Sequence, residues 1–327
     1  MANEKYEVVG YGALNLDKIF ETKGPVNPDG ETSARFLEEV PGGSAANTIA
    51  GLSRLGVKTA FIGAVGTDDN GKYLFEDIIN EGVTQLIKKK DGISGTCDIY
   101  TLKGSTDRSI VLKPEVNDEI SIDDIPDSTI DAIKNAKYFF SATFACSFEY
   151  DSLETQLELT KIAQENNTKT ILSSGALYSN PETLRKEKGD ILEELLGRTD
   201  ILFLNEDELK MLTAIESYAE ASNDLIEKYG IETIAVTRGK NGCYIKTKDE
   251  EIEIKPHYVE TIKDSIGAGD SFASGVLYGL INGKTLEICG EIGNYIASNV
   301  IQHTGAREGL PTGEDPSIQK LLTQTIA

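Results

Sequence analysis

Between Asp264 and Phe272 the chain reads Asp-Ser-Ile-Gly-Ala-Gly-Asp-Ser-Phe, and an apolar, helix-like run from Ala273 to Ile281 follows until Asn282-Gly283 stops it. A tight turn of small residues feeding a helix start leaves amide N–H groups without helical partners, and the positive end of the helix dipole adds to them. Such a terminus holds anions, and glycines let a phosphate approach the backbone closely. Asp270, at the start of the same helix, is placed to accept a proton from an attacking hydroxyl. The amides of Gly267, Ala268 and Gly269 would hold the negative charge that builds on a transferring phosphoryl group. The same residues read equally well as an ordinary turn and an Asp-capped helix, so this segment alone leaves both readings open.

Other nucleotide signatures fail on register. Gly51 to Thr59 nearly spells a P-loop, but Val57 separates Gly56 from Lys58, so the required Gly-Lys pair is missing. Gly10-Tyr11-Gly12-Ala13-Leu14-Asn15 falls one glycine short of the dinucleotide fingerprint, which leaves an NAD-dependent oxidoreductase as a distant alternative. Cys97, Cys146, Cys243 and Cys289 form no Cys-x-x-Cys pair and have only His257 and His303 to join them, so they read as reduced packing residues rather than metal ligands. A net charge of −22 repels nucleic acid and acidic membrane surfaces, so neither is an expected partner.

The elements that must position this chemistry alternate along most of the chain. Apolar, β-rich runs at Tyr6 to Gly10, Thr59 to Val65, Lys137 to Ser141, Thr168 to Ser173, Asp200 to Leu204 and Thr233 to Thr237 read as buried strands. Helical periods lie between them: Ser44 to Leu55 stops at Gly56, Asp69 to Glu81 at Gly82, and Ser152 to Glu165 at Asn166. The expected fold is α/β, a mainly parallel sheet with helices on both faces. Two excursions, about 17–40 and 94–116, replace helices with short strands such as Thr96 to Leu102 and Arg108 to Lys113. They are expected to form a small β lid over the carboxyl edge of the sheet, where ligands of open α/β folds bind. No linker divides residues 1–327, so one catalytic domain is expected. With 39% hydrophobic residues, no long apolar run and no signal-peptide pattern at Met1 to Lys5, the chain reads as soluble and cytoplasmic.

Asp264 and the small residues up to Asp270 match, almost position for position, a signature of the ribokinase/PfkB family of sugar and nucleoside kinases. The stretch Pro41-Gly42-Gly43-Ser44-Ala45-Ala46-Asn47 resembles the family's N-terminal glycine signature. The resemblance runs from about Tyr6 to Pro311 and implies a ribokinase-like fold, ATP and Mg2+ as cofactors, and phosphoryl transfer to an alcohol group. It implies sugar-binding positions at Asn15 and Asp17, with substrate also near Gly42, Gly43 and Asn47. Asn205-Glu206-Asp207-Glu208 resembles the family's Asn-x-x-Glu motif, which implies that Asn205 and Glu208 act near phosphates and Mg2+, Glu208 through water. Thr237, Gly239 and Gly242 resemble the ATP loop, Asn294 falls at the adenine edge, and Asp264 matches a ligand of the monovalent cation, K+, found in many members.

The substrate is less sharply drawn. Phe144 replaces a residue that many ribokinases aim at the sugar, and an aromatic there suits stacking on a base. Gly95-Thr96-Cys97 with Arg108-Ser109 resembles adenosine kinases. The expected substrate is therefore a ribosyl compound, nucleoside or free sugar. A sugar-phosphate kinase, with Arg108 on the substrate phosphate, is the alternative. A catalytically silent nucleoside sensor is a further one. The lid strands carry unpaired edges, through which a homodimer is expected to form.

Overall fold

The computed structural model describes residues 5–104, 108–142, 151–174 and 181–324. A nine-stranded sheet contains β1 (Val8–Tyr11), β4 (Thr59–Gly66), β5 (Thr84–Lys90), β8 (Tyr138–Ala142), β9 (Lys169–Ser173), β10 (Ile201–Asn205), β11 (Thr233–Thr237), β12 (Cys243–Thr247) and β13 (Glu251–Ile254). They run in the order β13-β12-β11-β10-β9-β8-β1-β4-β5. Strands β5 to β11 in that row pair parallel, and the β12–β13 hairpin turns one edge antiparallel. All eight residues of β4 are buried, as a strand covered on both faces requires. Successive side chains alternate between two cores: Val8, Phe140 and Phe203 on one face, Val9, Phe139 and Leu202 on the other.

The described helices are α1 (Ser44–Arg54), α2 (Asp69–Asn80), α3 (Asp127–Lys134), α4 (Asp151–Glu165), α5 (Pro181–Leu196), α6 (Glu206–Thr213), α7 (Tyr218–Tyr229), α8 (Ala268–Ile281), α9 (Leu286–Val300) and α10 (Pro316–Thr323). Residues of α1, α8 and α9 fill the first core, and residues of α4 and α7 the second. Gly56 and Gly82 end their helices at φ 89° and 79° as expected, but the third left-handed stop is Asn167, at φ 61°, one residue beyond the Asn166 anticipated. Edge strand β5, Thr-Gln-Leu-Ile-Lys-Lys-Lys, escaped sequence reading because its lysines, which discourage pairing with another chain, mask the strand pattern.

Strands β2 (Asn15–Thr22), β3 (Ala34–Gly42), β6 (Thr96–Leu102) and β7 (Arg108–Lys113) form a separate sheet in the order β3-β2-β6-β7. Ile19, Cys97 and Ile99 of this sheet pack on Ile266 and Ala306, so the lid sits over the turn that opens α8. Cys97, Cys243 and Cys289 are buried, while Cys146 lies outside the described residues. No helix among the described residues is long and apolar enough to cross a membrane.

Candidate active site

Helices α1 and α8 begin at glycines, Gly43 and Gly267, and neither start has a side-chain cap; α2, α6, α7, α9 and α10 are all capped by an Asp, Asn, Ser or Thr. Both glycines are conformationally required. Gly43 lies at φ 104° with a Cβ position 2.1 Å from the Ala13 carbonyl oxygen, and Gly267 at φ 73° with one 2.4 Å from Ala306. The amides of Gly267 and Gly269 donate to no acceptor among the described residues, whereas that of Ala268 makes a long 3.4 Å bond to the Ser265 carbonyl. The candidate anion hole therefore narrows to Gly267 and Gly269, with Ala268 partly committed.

The two helix starts meet at Asp270. Ser44 donates from Oγ to Asp270 Oδ1 at 2.6 Å, and Asn47 from Nδ2 to Oδ2 at 2.9 Å. Burial pushes the Asp270 carboxyl above its ordinary value, and the two hydrogen bonds and the charges of Arg108 and Arg307 pull the other way. A carboxylate shifted upward yet held by donors is better suited to take a proton than a fully solvated one.

A cavity of about 540 Å³ opens beside it, lined by carboxyl-end residues of β9 to β11, including Ser173, Asn205 and Thr237, by Glu208, and by Gly267 to Asp270 of the α8 turn. Glu208 is 6% exposed. Its Oε2 accepts from the Asn205 amide at 2.8 Å and from Ser174 Oγ at 2.7 Å, while Asn205 Oδ1 accepts from the Glu208 amide. Burial raises its pKa, those hydrogen bonds oppose the rise, and the charges of Asp270 and Asp207 add to it. The Asn-x-x-Glu residues thus serve both as a helix cap and as a wall of the cavity. Thr237, Gly239 and Arg108 also line it.

Residues 5–313 match the pfkB family carbohydrate kinase description. The chain belongs to the PfkB family. A protein described as an uncharacterized sugar kinase of Archaeoglobus fulgidus is 39% identical over 81% of this chain and all of its own length. The nucleoside kinase of Methanocaldococcus jannaschii is 27% identical over 99% of this chain and 98% of its own. The structure of Arabidopsis thaliana ribokinase complexed with ribose and ATP superposes with a TM-score of 0.81 at 23% identity, covering 98% of this chain and all of that one. This PfkB protein is accordingly an ATP-using phosphotransferase with an alcohol group as acceptor, a kinase of small sugars or nucleosides.

In this PfkB kinase, Asp17 is 6% exposed and its carboxylate accepts no hydrogen bond from the described residues. Burial is the largest of the influences that raise its pKa to about 7; Asp270 and Asp264 add to it and Arg307 opposes. Gly42 makes room for it, since a Cβ there would lie 2.2 Å from Asp17 Oδ2. The resemblance implied that substrate lies near Gly42; the structure adds that this glycine clears space for a carboxylate. Asn15 is buried and its Oδ1 accepts from Asn117 Nδ2 at 3.0 Å.

Three of the expected site residues are engaged by protein contacts. Asn294 spends its Nδ2 on the carbonyls of Ile254 and Lys255, fastening the loop after β13, and is not among the cavity-lining residues. Gly242 lies at φ 84° with a Cβ position 2.0 Å from the Ile254 carbonyl, so its role there is steric. Asp264 accepts from the amides of Ile266 at 2.9 Å and Gly305 at 3.1 Å, tying the α8 turn to the loop after α9. Phe144 lies outside the described residues. Sequence reading missed Asn117, whose side chain also holds both the amide and carbonyl of Leu14, and Arg307, which is 6% exposed. Neither sits in a motif, and only burial distinguishes them.

Gly269 separates packing from ligand contact. Among the described residues, no heavy atom beyond its chain neighbours and its own helix backbone lies within 4 Å of its Cβ position, and the residue lines the cavity. Gly269→Ala is expected to keep or raise the unfolding free energy, by up to about 1 kcal/mol for removing a helix-turn glycine. The added methyl should cut kcat/KM for ATP by about 10-fold or more through displacement of the phosphate. Urea unfolding and steady-state kinetics on one preparation check both halves.

Proposed function

We propose that this chain transfers the terminal phosphoryl group of ATP to a hydroxyl of a ribosyl acceptor, nucleoside or free sugar. The observation that carries the reading is the meeting of Asp270 with the amides of Gly267 and Gly269, which have no acceptor among the described residues, in the lining of one cavity. Asp270 would take the hydroxyl proton as the new O–P bond forms and the terminal P–O bond of ATP breaks, releasing ADP. The amides would hold the charge on the phosphoryl oxygens throughout. Asp17 and Asn47 would position the acceptor, Asp17 by accepting from adjacent hydroxyls, which suits a buried carboxylate without donors among the described residues. Asn205, Thr237 and Gly239 would meet ATP.

Glu208 fits a divalent cation. It is a buried carboxylate raised further by Asp270 and Asp207, and a positive charge relieves that repulsion. Among the described residues no cluster of three His, Cys, Asp or Glu side chains could hold a metal ion, which suits Mg2+ retained mainly by water and phosphates with Glu208 behind. Bound there, Mg2+ would neutralise phosphate charge. The lid, resting on Ile266 and Ala306, would exclude water that otherwise hydrolyses ATP. Phe36, Ile110 and Val111 are exposed on it, 47–52% each, which supports the reading that two lids pair in a homodimer.

The test is an ADP-release assay over adenosine, other nucleosides, ribose, fructose and sugar phosphates, run with Mg2+ and with EDTA, in sodium and in potassium salts. Turnover of a nucleoside or ribose that EDTA abolishes is the expected result. Reaction with a sugar phosphate alone would overturn the acceptor class and reassign Arg108 to that phosphate. A faster rate in potassium would place a monovalent cation near Asp264.

A further inference from the structure

Behind Asp270 lies a buried ionic cluster that the phosphoryl transfer does not yet use. Arg307 follows α9, and its Nε donates to Asn47 Oδ1 at 2.9 Å, its Nη1 pairs with Asp77 of α2, and its Nη2 has no partner among the described residues. Arg54 holds the same loop. Its Nη1 donates to the Arg307 carbonyl at 2.8 Å while its Nε and Nη2 fork onto Glu81 at 2.6 and 2.7 Å. A guanidinium carries donors only, so it can face Asn47 solely through the amide oxygen. That fixes the amide, and its NH2 must then point at Asp270 Oδ2, where it lies at 2.9 Å.

We infer that Arg307 is a positioning residue for the transfer: through Asn47 it sets the donor face presented to Asp270, and it places a buried positive charge behind the reacting carboxylates. The inference rests on the reading of Asp270 as proton acceptor. A buried ion pair alone does not explain the arrangement, because such pairs are often replaceable by apolar residues without loss of stability. Here the guanidinium spends a further donor on a side chain whose only other side-chain hydrogen bond among the described residues is to Asp270. The charged and titratable groups that face Asp270 are Arg108 from β7, Glu208 from α6, Asp17 from β2 and Arg307 itself; around Arg307 stand Asp77 and Tyr73 of α2 and Asp17, with Glu81 and Arg54 beyond Asp77.

Arg307→Met is expected to lower kcat by about 10- to 100-fold, the usual effect of a misplaced reacting group, with KM for ATP nearly unchanged. The acid limb of the kcat/KM profile should move to higher pH, because a positive charge opposing protonation has gone. Asp77→Asn breaks the same ion pair but leaves the guanidinium, so its acid limb should stay or move to lower pH and its kcat should remain near wild type. Equal kinetic losses and equal limb shifts in the two variants would reduce Arg307 to a structural ion pair and overturn the inference. Should Arg307→Met fail to fold, Arg307→Lys keeps the charge and loses the fixed fork. A reduced kcat with an unmoved limb supports positioning, and wild-type kcat overturns it. Asp270→Asn, assayed alongside, keeps the two readings apart: full turnover there ends the proton-acceptor reading, whereas a collapse there with wild-type Arg307 variants removes only the inference.

Discussion

Asp270→Asn should reduce kcat by about 10²- to 10⁴-fold, the range of a lost general base, while ATP still binds. The substitution is nearly isosteric, and Ser44 Oγ and Asn47 Nδ2 now donate to the two carboxylate oxygens at 2.6 and 2.9 Å. An asparagine keeps one acceptor and turns an NH2 toward the other donor, so local packing survives while proton acceptance is lost. The Gly267 and Gly269 amides are untouched, which is why nucleotide affinity should persist. Calorimetric titration with a nonhydrolysable ATP analogue, beside single-turnover kinetics, checks both halves. Turnover within a few-fold of wild type would remove Asp270 from the reaction.

Asp17→Asn should give the second large effect, with opposite signs on function and stability. Burial raises Asp17 to about 7 in the folded chain, against 3.8 as its ordinary value, so between those values the native state binds more protons than the unfolded one. Native stability therefore falls as pH rises from about 4 to 7, and the full penalty of the buried charge is present above 7. The neutral amide removes that penalty, and the variant is expected to be more stable than wild type at pH 8 by on the order of 1 to 4 kcal/mol, with the advantage shrinking toward pH 4. Acceptor binding should suffer. Loss of charge-assisted hydrogen bonds worth about 1.5 to 3 kcal/mol corresponds to a roughly 10- to 150-fold rise in acceptor KM, with KM for ATP unchanged. In the wild type, acceptor KM should fall as pH rises through about 7 and the carboxylate forms. Urea unfolding at pH 4.5 and pH 8, with acceptor kinetics across that interval, tests the coupling. A variant less stable at pH 8 would show that Asp17 is compensated by contacts of its own.

Residues such as Arg307 and Asn117 explain why part of this site lay beyond sequence reading. An arginine in Gly305-Ala306-Arg307-Glu308-Gly309 has the local appearance of a surface loop, and nothing in its neighbours announces burial. Its importance arises from α2 and α1, which lie more than two hundred residues earlier and supply Asp77 and Asn47. Asn294 shows the converse. Its position in the helix was legible, but the direction of its amide depends on the loop after β13, and that loop absorbs it.

The sequence by itself determined the alternation of strands and helices, the two glycine-initiated helix starts and the place of Asp270 in the first turn of one of them, because backbone freedom, hydrophobic period and end-of-helix electrostatics are local properties. It also determined the lid strands to the residue at Thr96–Leu102 and Arg108–Lys113. Only the tertiary structure decided that Ala268 is partly spent on Ser265, that Gly42 serves Asp17, and that a buried guanidinium stands behind the site. Those facts follow from which distant groups compete for a donor or for space, and that competition exists only once the sheet has brought α1, α8 and the lid together at one edge.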